Sequence, residues 1–257
     1  LNLNKYKMSS KPVIAVPACR RLMGIHPFHM VGEKYLTALK DATEGLPWMI
    51  PAIGDDEILD AILAKVDGLF LTGSYSDIEP HHYQGKPSRS GTLHDPERDA
   101  TVFSVTQKAL DMGIPIFAVC RGFQELNVLM GGTLHQQIHE VEEFFDHREN
   151  KNDPIEKQYG PAHKICLKKG SLLSKLTGQE TANVNSLHGQ GIDQIAPGLD
   201  IEAVAEDGVI EAFKVRESIG FAYAVQWHPE WQVMENPLSL ALFRAFGEAC
   251  RKYALAK

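Results

Sequence analysis

Short apolar runs and amphipathic stretches alternate along the first half of the chain. Pro12-Val13-Ile14-Ala15-Val16-Pro17 has the length and composition of a buried strand. Residues 33–40 carry helical spacing, Gly45-Leu46-Pro47 stops it, and Trp48-Met49-Ile50 predicts a second strand. Over 55–66, Ile58, Leu59, Ile62, Leu63 and Val66 share one face and Asp55 or Asp56 can cap the start, so an amphipathic helix is expected. Gly68-Leu69-Phe70-Leu71-Thr72-Gly73 is a further buried strand, 96–112 a helix, 114–119 a strand and 122–130 a helix. This alternation predicts an α/β fold with a mostly parallel central sheet and helices on both faces.

The second half has a different rhythm. Residues 199–205, 209–215 and 221–227 are three closely spaced strands, with Glu206-Asp207-Gly208 as a turn between the first two. They are expected to pair antiparallel and extend the sheet. An amphipathic helix over 237–254 closes the chain. Two polar segments, 74–95 and 140–161, fit neither period, and long excursions of this kind in an α/β domain are often functional loops. No repeat or linker interrupts residues 8–257, which are expected to form one domain. Residues 1–7 precede Met8 and are taken as an upstream or cloning remnant.

Composition narrows the function classes. Apolar residues at 44% and charged residues at 23% exclude a largely disordered chain. A net charge of 26 − 33 = −7 argues against a protein built to grip nucleic acid or an anionic membrane. No apolar run reaches the roughly 18 residues of a membrane span. Cys19, Cys120, Cys166 and Cys250 are few, widely spaced and without a Cys-x-x-Cys, which points to a reduced cytoplasmic protein lacking a zinc site or disulfide framework.

The richest local signal is Ile116-Phe117-Ala118-Val119-Cys120-Arg121-Gly122-Phe123-Gln124-Glu125. A buried strand runs into Cys120 and a helix follows at once, with small residues at Ala118 and Gly122. This is the nucleophile-elbow pattern with Cys in place of Ser. The helix N-terminus favours a thiolate there, and the Arg121 N–H can face an oxyanion. A thiol nucleophile needs a base, and His228 in Val225-Gln226-Trp227-His228-Pro229-Glu230 follows an apolar strand. Residues i and i+2 of an extended chain share a face, so Glu230 can fix the imidazole. Gly73, after another strand, lets backbone approach a ligand and offers a second oxyanion N–H. Other patterns are weaker. His135-x-x-x-His139 carries Gln136 where a zinc protease has Glu, and the His81-His82 pair sits in a polar loop. No dinucleotide or phosphate-binding glycine motif is present, so neither a dinucleotide nor a nucleotide phosphate site is supported, and thiol chemistry itself calls for no metal or organic cofactor.

In this order, elbow, turn and His-Pro-Glu resemble the class I glutamine amidotransferase-like hydrolases, over nearly the whole chain. Cys120 to Glu125, Asn185-Ser186-Leu187-His188-Gly189-Gln190-Gly191, Gln226 to Trp231, Thr72-Gly73-Ser74 through Glu79-Pro80-His81-His82-Tyr83, and Asp95-Pro96-Glu97-Arg98-Asp99 are similar to the peptidase C26-like branch, the bacterial gamma-glutamyl-gamma-aminobutyrate hydrolases of putrescine breakdown. One departure is Ala118, where amidotransferases often have Gly. The resemblance implies a flavodoxin-like sheet and a cysteine-dependent hydrolase of γ-glutamyl amides. Cys120 would be the nucleophile, His228 the general base and acid, and Glu230 its orienting carboxylate. Gly73 and Arg121 would form the oxyanion hole, and Gln124, Ser186, Leu187 and His188 would lie around the glutamyl group. A small γ-glutamyl substrate is the implied partner, with no nucleic acid or membrane; a homodimer is left open. An acidic leaving group calls for a basic contact, with Arg121, Arg98 and Lys157 as the candidates. Two alternatives remain at this level: a glutaminase subunit passing ammonia to a separate synthase, and a non-catalytic relative binding γ-glutamyl ligands or a partner.

Overall fold

The computed structural model describes residues 11–257, and the expectation for residues 1–7 lies outside them. From the N-terminal side, β1 (Val13–Pro17) leads into a hairpin of β2 (Cys19–Met23) and β3 (His26–Met30). Helix α1 (Glu33–Ala38), a π-helical turn over Leu39–Thr43 and β4 (Leu46–Ile50) follow. Next come α2 (Asp56–Leu63), β5 (Gly68–Leu71), α3 (Pro96–Asp111), β6 (Ile116–Val119), α4 (Arg121–Leu129) and β7 (Thr133–His135). The remaining elements are α5 (Ile155–Gln158), β8 (His163–Leu167), α6 (Leu172–Thr177), β9 (Thr181–Val184), β10 (Gly191–Gln194), β11 (Leu199–Ala205), β12 (Ile210–Val215), β13 (Ala222–Val225) and α7 (Pro237–Ala256).

Nine strands form one sheet in the order β4-β1-β5-β6-β13-β12-β11-β8-β9. The first five run parallel and the rest pair antiparallel. Side chains alternate across the parallel strands, as the pleat requires. Leu69, Leu71, Ile116 and Ala118 pack with residues of α2, α3 and α4. Phe70, Phe117 and Val119 face the other way, onto α1 and α7. Both faces are therefore covered, which is why these strands read as continuous apolar runs. The helices start where their caps fall: Asp55 Oδ1 accepts from the Ile58 N–H at 3.0 Å, and Asn236 Oδ1 from the Ser239 N–H at 3.1 Å.

The expected mostly parallel α/β sheet with antiparallel strands in the second half is found. Three details differ. The segment 221–227 contributes β13, which is antiparallel to β12 but parallel to β6, and so joins the two halves of the sheet. The helix expected over 33–40 is α-helical only to Ala38, and the Thr43 hydroxyl bonds back to the Leu39 carbonyl in the π-helical turn. The β2–β3 hairpin and the β8–β9 pair had no expectation at all, because their exposed faces break the apolar periodicity.

Candidate active site

Adjacent strands β5, β6 and β13 end level with one another: Leu71 pairs with Ala118, and Val119 with Val225. Their C-terminal ends hand on to Gly73, Cys120 and His228, at the sheet edge where open α/β sheets hold ligands. Cys120 is buried with φ 51° and ψ −105°, a conformation a non-glycine residue rarely adopts. Such strain costs about 1–3 kcal/mol and persists only where surroundings impose it. Here the Cys120 N–H donates to the Val225 carbonyl at 2.9 Å, and the next residue already opens α4. The turn also explains Gly122. A Cβ there would stand 2.5 Å from the Leu71 carbonyl oxygen and 2.6 Å from the Leu71 Cβ.

The His228 backbone is held at two points by one side chain. Its N–H donates to Asn185 Oδ1 at 2.7 Å, and Asn185 Nδ2 donates to its carbonyl at 2.9 Å. The imidazole Nδ1 lies 2.7 Å from Glu230 Oε1, so this nitrogen carries the proton that the carboxylate accepts. Burial pushes the imidazole pKa down, but the Glu230 carboxylate and the Cys120 thiol outweigh it and hold the value up at about 9. Gly73 closes the group: a Cβ there would meet the Tyr35 hydroxyl at 2.6 Å, His228 Cε1 at 2.7 Å and Cys120 Cβ at 3.3 Å. The glycine thus brings its backbone against thiol and imidazole together. Arg121, first residue of α4, has a backbone N–H with no partner within its own helix.

Lys34 is a member that sequence reasoning missed. Its ammonium lies 2.7 Å from Glu230 Oε1 and donates to the Tyr159 hydroxyl at 2.7 Å. Burial raises the Glu230 pKa, yet Lys34 and then His228 pull it down to about 2. The carboxylate is therefore charged, and it is shared between two cations. Only a lysine at the start of a helix was legible in the chain, since its partners lie 125 and 196 residues away (159 − 34 and 230 − 34).

These groups floor a cleft of about 710 Å³. The 74–95 segment lines it with Ser74 to Asp77, and the 140–161 segment with Arg148, Lys151 and Tyr159 among others. Tyr159 stacks on Trp231 with ring centroids 4.5 Å apart, which ties the second segment to the strand end carrying Glu230.

The model of the family described as Peptidase C26 matches residues 12–230. The chain belongs to the peptidase C26 family. It is 42% identical over 251 residues to gamma-glutamyl-gamma-aminobutyrate hydrolase PuuD of Escherichia coli (strain K12), covering 96% of this chain and 97% of that one. Protein NtpR of Enterococcus hirae is 32% identical over 214 residues, 83% of this chain and 87% of its own length. Among solved structures, the glutaminase domain of Trypanosoma brucei CTPS with bound acivicin superimposes with a TM-score of 0.60 at 16% identity, covering 93% of this chain and 94% of that one. At that identity the likeness is one of fold.

Within this peptidase C26 chain the other expected site residues separate. Gln124, Leu187 and His188 line the cleft, and Gln124 Nε2 donates to the Gln190 carbonyl at 2.9 Å. Ser186 does not line it. Its hydroxyl donates to the His147 carbonyl at 2.8 Å, behind the wall. The charged groups expected as basic contacts are engaged elsewhere. Arg98 and Arg121 are buried in ion pairs with Glu125 and Asp99, and Lys157 points to Asp153 in solvent. Arg21 and Lys151 are the basic side chains on the cleft wall that have no carboxylate partner among the described residues, whereas Arg148 is paired with Asp146. His135 and His139 are not on one helix; they close β7 and sit in a 3-10 turn. Among the described residues, no helix is long and apolar enough to cross a membrane.

Proposed function

We propose that the chain hydrolyses a γ-glutamyl amide through a thioester on Cys120, with γ-glutamyl-γ-aminobutyrate as its substrate. The observation that carries this reading is a thiol on a strained elbow, beside an imidazole fixed by a carboxylate, at the floor of a cleft. The full-length likeness to a hydrolase named for that substrate supports the substrate class.

The chemistry follows from the positions. The Cys120 thiolate attacks the γ-carbonyl, and the oxyanion that forms is taken up by the N–H groups of Gly73 and Arg121. His228, holding the thiol proton, protonates the departing amine, and the C–N bond breaks to leave a γ-glutamyl thioester. His228 then removes a proton from water, which attacks the thioester; glutamate leaves and the thiol is restored. Glu230 keeps Nδ1 protonated, so the other nitrogen does both proton transfers. Asn185 is a positioning residue, fixing the backbone that carries the ring.

The pH profile tests this division of roles. The alkaline limb of kcat/KM is expected near 9, where the imidazolium loses its proton. Glu230→Gln removes the largest raising influence, so the limb moves down towards the ordinary imidazole value of about 6.5. Lys34→Met removes a positive charge that disfavours the imidazolium, so the limb moves up. Shifts of the same sign in both variants would contradict the assignment.

The direct experiment is glutamate release by the purified chain from γ-glutamyl-γ-aminobutyrate beside glutamine and an uncharged γ-glutamyl amide. Preference for the first supports the proposal. Activity on glutamine alone would turn the reading to a glutaminase, and inertness towards all three would end it. In the same assay, Arg21→Ala and Lys151→Ala are expected to raise KM several-fold for the acidic amide and less for the uncharged one. Equal effects would remove these residues from leaving-group recognition.

A further inference from the structure

Behind the cleft wall lies a second cluster of titratable side chains, of which only His188 also lines the cleft. His147, His163, His188 and Glu211 converge there, all buried or nearly so. Around Glu211 Oε1 stand His163 Nε2 at 2.9 Å, His147 Nδ1 at 3.8 Å and His188 Nε2 at 4.0 Å. The nearest ligand atoms of His147, His163 and Glu211 all lie within 4.8 Å of one another. Tetrahedral zinc with bonds near 2.0–2.1 Å sets its ligand atoms about 3.4 Å apart, inside the range found here.

The hydrogen bonds show which ring nitrogens are bare. His147 Nε2 faces Asp207 Oδ2 at 2.8 Å and so carries the proton, leaving Nδ1 turned to the cluster. The Ser186 hydroxyl, 3.1 Å from that Nδ1, spends its one proton on the His147 carbonyl. His188 Nδ1 donates to the Gln190 carbonyl at 2.9 Å, so its Nε2 is a lone pair. That nitrogen is inaccessible and has no partner among the described residues, and neither does Glu211 Oε2. Lone pairs from two imidazoles therefore face a carboxylate with one unpaired oxygen. A carboxylate behind one ligating histidine and a carbonyl behind another is the outer-shell arrangement of metal sites.

We infer that His147, His163 and Glu211, with His188 Nε2 standing beside the carboxylate, form a binding site for a first-row divalent cation of the zinc type. Imidazole nitrogen with one carboxylate oxygen is a donor set for zinc, not for calcium or magnesium. On binding, the proton shared by His163 Nε2 and Glu211 Oε1 is released to solvent, and the two groups ligate the ion. The site is structural. It joins β8 through His163 and β12 through Glu211 to two loops. His147 belongs to the segment that places Arg148, Lys151 and Tyr159 in the cleft, and His188 to the one that places Leu187 and Gln190 there. The cation would fix the cleft wall and leave the thiol chemistry at the strand ends untouched.

The test reads metal content rather than turnover. Protein without a histidine tag is stripped with a chelator, titrated with Zn2+, and measured for bound metal and melting temperature. About one Zn2+ per chain is expected, with Tm falling on stripping and recovering on addition. Because Cys120 and His228 can themselves hold zinc, Cys120→Ser is the control and should keep the metal. His163→Gln and Glu211→Gln should lose it, and Asp207→Asn should weaken it by about 10–100-fold. No bound metal together with a Tm indifferent to Zn2+ in the wild type would overturn the inference, whatever the folding of the variants. So would metal that leaves with Cys120→Ser and stays with His163→Gln.

Discussion

Cys120→Ala is expected to abolish turnover of γ-glutamyl amides, a loss on the order of the 10⁶-fold seen when a serine protease loses its nucleophile. Substrate binding should survive, because Gln124, Leu187 and His188 line the cleft independently of the thiol. Stability should hardly change. Ala accepts the same φ of 51° at the same cost as Cys, and the elbow is imposed by neighbouring strands. Cys120→Gly gives a sharper contrast. Glycine adopts positive φ without strain, so this variant should be equally inactive yet somewhat more stable, by about 1 kcal/mol. Activity assays beside thermal unfolding separate the two effects. The other cysteines lie outside the proposed chemistry. Burial pushes the Cys250 thiol pKa far up, next to Phe246 and Gly68, and Cys166 is exposed on β8. Cys250→Ala and Cys166→Ser should therefore retain turnover within a few-fold. Substantial activity in Cys120→Ala would end the thioester mechanism.

What sequence could reveal about this site follows from how local each feature is. The elbow was legible because its cause is local: a strand, a small residue on either side of Cys120 and a helix start within one short segment. His228 and Glu230 were legible for a related reason, since an extended dipeptide spacing puts both on one face. The parallel half of the sheet announced itself through unbroken apolar runs. Lys34 and the clamp role of Asn185 depend on contacts across most of the chain, and nothing at either position marks them. Ser186 shows the opposite error. Leu187 and His188, the next two residues of the motif, line the cleft, but the irregular segment after β9 turns the Ser186 hydroxyl to the other side, onto His147. The expectation that the Arg98 or Arg121 guanidinium meets the leaving group failed because charge alone does not reveal burial. Both guanidiniums are consumed by carboxylates that the sequence places on the same helices, α3 and α4.

That buried network carries the largest expected effect on stability. Arg98 Nε and Nη2 donate to the two Glu125 oxygens at 3.0 and 3.1 Å, and Arg121 also bonds to Glu125 and reaches Asp99. Glu125→Ala leaves two buried guanidiniums facing one carboxylate, and breaking a buried pair in this way costs about 3–5 kcal/mol. Against a typical total of about 5–15 kcal/mol, that loss should be plain in denaturant unfolding. The paired replacement Arg98→Met with Glu125→Leu removes both charges, leaves Arg121 with Asp99, and should recover most of the stability. It should not recover the activity. Arg98 also donates to the Thr72 carbonyl and, at 3.2 Å, to the Thr72 hydroxyl, directly before Gly73, whose N–H is the proposed oxyanion donor. Losing that hold should lower kcat with little change in KM, because an oxyanion donor acts in the transition state. If the double variant is both stable and fully active, the network contributes packing alone, and the placement of Gly73 must come from the sheet.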